Sequence, residues 1–123
     1  MQEEHFVLRN YAHIGDSVWE LFVRTYTVYK TSNAKILHKI TTERVNATFQ
    51  KDMLLYIYDE LTEDETDFAK RARNISIPIG RRNIQQDYRQ ATAFEALIGY
   101  WYIHDKERLS HFYDIFKESE FFK

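Results

Sequence analysis

The chain contains few of the residues that interrupt regular secondary structure. Its 123 residues include three glycines and one proline, and no stretch alternates apolar with polar residues as a half-buried strand would. Apolar and small side chains recur instead at helical spacing. In the first predicted helix they are Ile14, Val18, Leu21, Phe22, Thr25 and Tyr29. This periodicity, combined with so few helix breakers, predicts an all-α fold.

Breaks and capping signals divide the rest of the chain into further helices. Trp19 and Val23 give the first helix a second apolar face, which is typical of a central helix. Pro78 and Gly80 fall within residues 74–82 and predict a loop there. The later predicted helices run from the Thr31–Asn33 break to Val45, from about Thr48 to Leu61, from the capping box Thr62–Glu65 to Arg73, from the similar Asn83–Gln86 to about His104, and from Lys106 to about Glu118.

Length and composition restrict the class of protein. A chain of 123 residues predicts a single domain spanning 1–123. The absence of cysteine excludes disulfides and thiolate metal sites. The first residues lack the basic and apolar regions of a secretory signal, and no apolar run is long enough to span a bilayer. We therefore expect a cytoplasmic protein without a membrane partner.

Positive charge is concentrated in one segment. The whole chain has a net charge of −2, but residues 70–89 carry six cations against one acid, a net charge of +5. The cations are Lys70, Arg71, Arg73, Arg81, Arg82 and Arg89. Local rather than total charge guides the encounter with a polyanion, so this segment can meet nucleic acid.

Two carboxylates stand within apolar, helical stretches. Asp16 lies between Tyr11 and Val23, and Glu95 lies between Ala93 and Ile103. Placing an ionised carboxylate in an apolar setting is costly unless a cation or several hydrogen-bond donors compensate. The two acids could share one metal ion, and oxygen ligands completed by water suit Mg²⁺. The alternative is that each acid forms a salt bridge or reaches solvent.

Small residues accompany both acids at helical spacing. Those on the same faces are Ala12, Gly15, Thr92 and Gly99. They are expected to leave room for a hydrated cation and a phosphate. Glu20 could join the site, but it lies four residues before Arg24 and is expected to pair with it. His13 is near Asp16 in sequence and is expected to point elsewhere.

The basic segment has two interpretations. Its first three cations end a predicted helix, where positive charge complements the helix dipole. Arg81 and Arg82 instead follow the Pro/Gly loop, where no such dipole explains them. Cations beside a metal site suit a phosphodiester substrate, because they neutralise phosphates while the metal acts on the scissile group.

The motifs around both acids resemble those of the ribonuclease III catalytic domain. They are Ile14–Val18 and Phe94–Gly99, and the likeness extends from about Leu8 to Phe116. Typical members carry further acids four residues before the Asp and three before the Glu. Here Ala12 and Thr92 occupy those positions, as in the compact Mini-III branch, which lacks a double-stranded-RNA-binding domain. Ala72 departs from the glycine usual in that branch.

The resemblance implies a ribonuclease III-like helical bundle that acts as a homodimer. It implies Mg²⁺-dependent cleavage of double-stranded RNA, namely the ends of the large-subunit (23S) ribosomal RNA precursor. Asp16 and Glu95 would be the catalytic, metal-binding acids. The residues expected to contact RNA are Lys70, Arg71, Arg73, Asn74, Arg81, Arg82 and Arg89. Without an accessory domain, binding is expected to depend on these residues and on ribosomal RNA architecture or a ribosomal-protein helper.

Two other readings remain open from the sequence. Some ribonuclease III-like domains have lost their acids and only bind RNA or ribosomes, although Asp16 and Glu95 are retained here. The second reading is a helical dimerisation module without an RNA role, in which the two acids are structural.

Overall fold

The computed structural model describes residues 5–75 and 85–123, which form six α-helices without a strand among them. The helices are α1 (His5–Thr27), α2 (Ala34–Val45), α3 (Ala47–Ile57), α4 (Glu63–Arg73), α5 (Gln85–His104) and α6 (Lys106–Glu118). Short 3₁₀ turns cover Tyr58–Glu60 and Glu120–Phe122. The predicted all-α fold is confirmed. No helix in these ranges is long and apolar enough to cross a membrane.

Side-chain caps explain several helix starts. Asn33 accepts a hydrogen bond from the Ile36 backbone N–H at 3.1 Å and begins α2. Thr62 and Glu65 form the predicted capping box of α4 through reciprocal hydrogen bonds. The third helix is shorter than predicted, because α3 ends at Ile57 and tightens into the 3₁₀ turn. The part of the predicted 74–82 loop that follows residue 75 lies outside the described residues. The start of the capping box predicted at 83–86 lies outside them as well.

Helix α5 lies at the centre of the bundle and packs against α1, α3, α4 and α6. Trp19 and Val23 of α1 are fully buried, which confirms that this helix has a second apolar face. Large buried side chains fill the space between the helices. They include Trp19, Phe68, Phe94, Trp101, Phe112 and Phe116.

Two glycines bring the backbones of α1 and α5 into contact. A Cβ at Gly15 would lie 1.7 Å from the carbonyl oxygen of Glu95, and a Cβ at Gly99 would lie 1.9 Å from that of Tyr11. Any larger residue at either position would force the helices apart. This close crossing sets the distance between the segments that carry Asp16 and Glu95.

A buried polar network ties α4, α5 and α6 together. The Glu65 carboxylate accepts hydrogen bonds from Trp101 Nε1 at 3.0 Å and from Arg108 Nε and Nη2 at 2.9 and 2.7 Å. Burial alone would raise the pKa of Glu65, but these bonds and the Thr62 backbone hold the pKa below its ordinary value. The carboxylate therefore stays ionised and its donors remain satisfied.

Candidate active site

A cavity of about 480 Å³ opens between α1, α3 and α5, and both Asp16 and Glu95 line it. Asp16 belongs to α1 and follows Gly15 directly. Glu95 belongs to α5 and lies four residues before Gly99. The end of α2 at Val45 and the residue Ile75 after α4 complete parts of its wall. Helices α1 and α5, the junction between α2 and α3, and the residue after α4 thus meet around the two acids.

The two carboxyl groups interact directly but differ in exposure. Asp16 is exposed and Glu95 is half-buried, so the prediction that both acids lie in apolar surroundings is wrong for Asp16. Burial, together with the hydrogen bond and negative charge of Asp16, raises the pKa of Glu95 to about 9. A cation between them would remove the repulsion.

The small residues beside the acids have two different roles. Ala12 and Thr92 both line the cavity. Thr92 donates its Oγ1 hydrogen to the Tyr88 carbonyl at 2.9 Å, an ordinary contact within a helix. The sequence suggested that Gly15 and Gly99 leave room for a cation, but they do not. They lie at the helix crossing, where their size permits backbone contact.

His13 lies on the cavity wall with Asp16, and the expectation that it points elsewhere is wrong. Residues three apart on a helix share a face, so the spacing itself contained this information. Arg9, one turn earlier, also lines the cavity and was missed by the sequence analysis. Arg9 and His13 therefore place a guanidinium group and an imidazole ring beside the acids.

Gln50 is the second residue that the sequence analysis missed. It belongs to α3, is 2% exposed, and donates from Nε2 to Glu95 Oε2 at 3.3 Å. Nothing in its local sequence marks it, because the contact depends on how α3 packs against α5. Glu20, by contrast, pairs with Arg24 at 3.1 Å as predicted, and it does not line the cavity.

Known proteins share this sequence and architecture. The sequence model of the Ribonuclease III domain matches residues 9–106. The Mini-ribonuclease 3 of Gloeobacter violaceus is 40% identical over 98 residues, which are 80% of this chain and 73% of that protein. The Mini-ribonuclease 3 of Staphylococcus aureus is 35% identical, over 86% of this chain and 84% of that protein. The chain belongs to the ribonuclease III family.

A crystal structure of a protein from Fusobacterium nucleatum matches the fold with a TM-score of 0.78 at 33% identity, over 89% of each chain. The predicted ribonuclease III-like helical bundle and the resemblance to its Mini-III branch are confirmed. As a ribonuclease III family member, the protein is an endoribonuclease. Membership implies double-stranded RNA as the substrate class and dependence on a divalent metal.

The predicted RNA-contacting residues of the family's basic segment lie on several surfaces. Lys70 and Arg73 line a separate cavity of about 230 Å³ between α3, α4 and α5. Arg71 pairs with Asp67 at 3.0 Å, one helical turn away. Arg89 donates from Nη1 to the Arg73 carbonyl at 3.1 Å, which helps satisfy the end of α4. These four cations do not line the cavity of the two acids.

The end of α4 connects this basic surface to the acids. Asn74 is exposed and forms the C-cap of α4. Ile75 follows it and lines the cavity of Asp16 and Glu95. Arg81 and Arg82 lie outside the described residues.

The donor set fits a hydrated divalent cation. Within residues 5–75 and 85–123, no group of three or more His, Cys, Asp or Glu side chains is arranged to hold a metal. The site instead offers two carboxylates in an open cavity. Mg²⁺ keeps several waters and needs only one or two protein carboxylates, so the pair suits this ion.

Proposed function

We propose that the protein is a Mg²⁺-dependent endoribonuclease that cleaves double-stranded RNA and trims the ends of the 23S ribosomal RNA precursor. One observation carries the proposal. In a chain of the ribonuclease III family, the carboxyl groups of Asp16 and Glu95 meet in one open cavity. A metal between them would be accessible to a bound phosphodiester. The site of action would be the cytoplasm, where this substrate is made.

Asp16 and Glu95 are the residues that would hold Mg²⁺. When bound, the ion would supply an acidified water as the nucleophile and stabilise negative charge on the phosphate. Asp16 approaches from the solvent side and Glu95 from the half-buried side. Glu95 must lose its proton when the ion binds, since its raised pKa keeps it neutral without a cation.

RNA binding would depend on charge and duplex shape. Arg9 and His13 can contact phosphates next to the two acids, because they line the same cavity. Lys70 and Arg73 extend positive charge along an adjacent surface. A-form duplexes are recognised mainly through shape, phosphates and 2′-hydroxyls, so we expect weak sequence preference and strong salt dependence. A ribosomal-protein helper would increase affinity for the natural substrate.

A second copy of the chain would cover an apolar groove beside the site. The groove has a volume of about 760 Å³ and runs between α1 and α6. Ile14 and Ser17 line it, and they flank the cavity residue Asp16 in sequence. Leu21 lines it as well and is 67% exposed, an unfavourable state for a large apolar side chain. A homodimer formed here would place two active sites next to each other, one for each strand.

The cleavage experiment uses a synthetic RNA duplex incubated with the protein in Mg²⁺ or in EDTA. We expect cuts that require Mg²⁺, that disappear in Glu95→Gln, and that persist in the matched variant Glu20→Gln, whose carboxylate lies outside the cavity. RNA that is shifted in a gel but uncut under all conditions would indicate a non-catalytic binder. Neither cleavage nor a shift would leave only a helical interaction module.

The natural substrate is tested in cells. In a strain that lacks this protein, the 5′ and 3′ ends of 23S ribosomal RNA should carry extra nucleotides. Expression of the wild-type protein should restore mature ends, whereas Glu95→Gln should not. Mature ends in the deletion strain would contradict the proposed substrate while leaving duplex cleavage intact.

A further inference from the structure

We propose that Gln50 is a positioning residue that holds the Glu95 carboxylate in place for the divalent ion. The inference rests on the proposed function, since it assigns a role at the same site. It concerns a residue on a third helix that carries neither of the two acids. Gln50 would act through Glu95 rather than on the RNA.

The contact between Gln50 and Glu95 is a hydrogen bond from a buried side chain. Nε2 of Gln50 donates to Oε2 of Glu95 at 3.3 Å, and the Gln50 side chain is 2% exposed. An amide N–H directed at one carboxylate oxygen restricts rotation of the carboxylate.

The surrounding structure fixes the amide in this position. Asn46 caps α3 by accepting from the Phe49 N–H at 2.8 Å, which places Gln50 in the first turn. On the adjacent residues, Thr48 donates to Asp87 at 2.8 Å and Lys51 pairs with Asp87 at 3.2 Å. These two contacts connect the start of α3 to the start of α5. Gln50 is therefore held against α5 from both sides.

Packing alone does not account for a glutamine at this position. The neighbouring buried residues of α3 are apolar, namely Met53, Leu54 and Ile57. A buried amide without a partner is destabilising, so its contact with Glu95 is the reason it can be tolerated. Metal ligands usually depend on such outer hydrogen bonds, and loss of one typically reduces metal affinity or activity by about 10–100-fold.

The test compares Gln50→Met with the control Met53→Val, both measured with Mg²⁺. Methionine has nearly the length and shape of glutamine but cannot donate a hydrogen bond. Met53→Val weakens the same helix without touching Glu95. For each protein, the Mg²⁺-induced rise in melting temperature gives the concentration of half-maximal stabilisation. Cleavage of the RNA duplex gives the concentration of half-maximal rate.

We expect Gln50→Met to raise both half-maximal concentrations at least about tenfold. Excess Mg²⁺ should restore most of its cleavage rate, and Met53→Val should leave both concentrations unchanged. An unchanged Mg²⁺ dependence with a lower melting temperature would mean that Gln50 only packs, which overturns the inference.

The thermal measurement separates this inference from the proposed function. If Mg²⁺ stabilises the wild type but no duplex is cut, the nuclease proposal fails. The Mg²⁺-induced rise in melting temperature of Gln50→Met, compared with wild type, still tests the inference on Gln50. If wild type cuts RNA with Mg²⁺ and Gln50→Met responds identically, only the inference on Gln50 fails. If Mg²⁺ neither stabilises the wild type nor supports cleavage, both are overturned.

Discussion

At the scale of single residues, the site combines two acids that are unfavourable partners in the absence of a cation. The pKa of Glu95 rises to about 9 because the residue is buried and because Asp16 adds a negative charge. Functional sites of this kind often lower the stability of the folded protein. Two measurements on the metal-free protein should detect this lower stability.

At a pH above about 9, where Glu95 is ionised, Asp16→Asn should raise the melting temperature of the metal-free protein by several degrees. The amide removes the negative charge beside the Glu95 carboxylate, and a gain of about 1 kcal/mol shifts the melting temperature of a domain this size by several degrees. Calorimetry in EDTA measures the change, with Glu20→Gln as the matched control on the same helix. A drop of several degrees in Asp16→Asn would identify Asp16 as a structural hydrogen-bond acceptor.

The metal-free protein should also lose stability as the pH rises. Because the pKa of Glu95 goes from 4.5 when unfolded to about 9 when folded, the folded state holds a proton that the unfolded state releases. This contribution is complete below pH 4.5 and is lost as the pH rises toward about 9. Urea unfolding in EDTA should show the fall in wild type relative to Glu95→Gln, which lacks this titrating group. Parallel curves for the two proteins across this range would refute it.

At the scale of helices, local signals predicted the elements while their packing stayed hidden. Asn33 and the Thr62–Glu65 box predicted helix starts because a cap acts within four residues of the chain. The extent of α3 was overestimated, since the period of its apolar stripe continues through a 3₁₀ turn to Leu61. Gln50 could not be identified because its partner lies 45 positions away.

The pairing of the acids shows the same limit. The helical periodicity of the sequence does not indicate that α1 and α5 cross at Gly15 and Gly99. The pairing of Asp16 with Glu95 was therefore predicted from the resemblance of the two motifs to the ribonuclease III catalytic domain. The misplacement of His13 was avoidable, because three-residue spacing on a helix already puts it beside Asp16. The roles of Arg81 and Arg82 remain predictions.

Gly99→Ala should destabilise the protein by more than about 2 kcal/mol, because a Cβ would meet the Tyr11 carbonyl oxygen at 1.9 Å. In most helix interiors the same change stabilises by about 0.5–1 kcal/mol, so the sign itself is diagnostic. Urea unfolding measures the difference, and the duplex assay should show a loss of cleavage even where the variant remains folded. Unchanged or increased stability would show that α1 and α5 can separate at little cost.

At the scale of the whole molecule, one helix serves two surfaces. Helix α1 presents Arg9, His13 and Asp16 to the cavity of the acids. Its next face presents Ile14, Ser17 and Leu21 to the apolar groove. A partner bound in the groove would thus contact Ser17, the residue directly after Asp16. Assembly and catalysis are therefore expected to be linked through α1.

Leu21→Glu should convert a dimer into a monomer, because it places a charge in an apolar surface that would otherwise be buried. Ile36→Glu is the matched control, since Ile36 is 50% exposed on α2 and does not line the groove. Analytical ultracentrifugation should give twice the monomer mass for wild type and control, and the monomer mass for Leu21→Glu.

Duplex cleavage then tests whether the groove links the two sites. A wild-type dimer should cut both strands in one encounter, whereas the Leu21→Glu monomer should nick single strands and need a second encounter to separate the ends. The ratio of nicked to fully cut duplex at early times distinguishes the two. A monomeric wild type, or a Leu21→Glu variant that stays dimeric, would place the interface elsewhere and remove the reason for the exposed leucine. Because the acids lie in their own cavity, a nicking monomer would show that each chain carries a complete catalytic site.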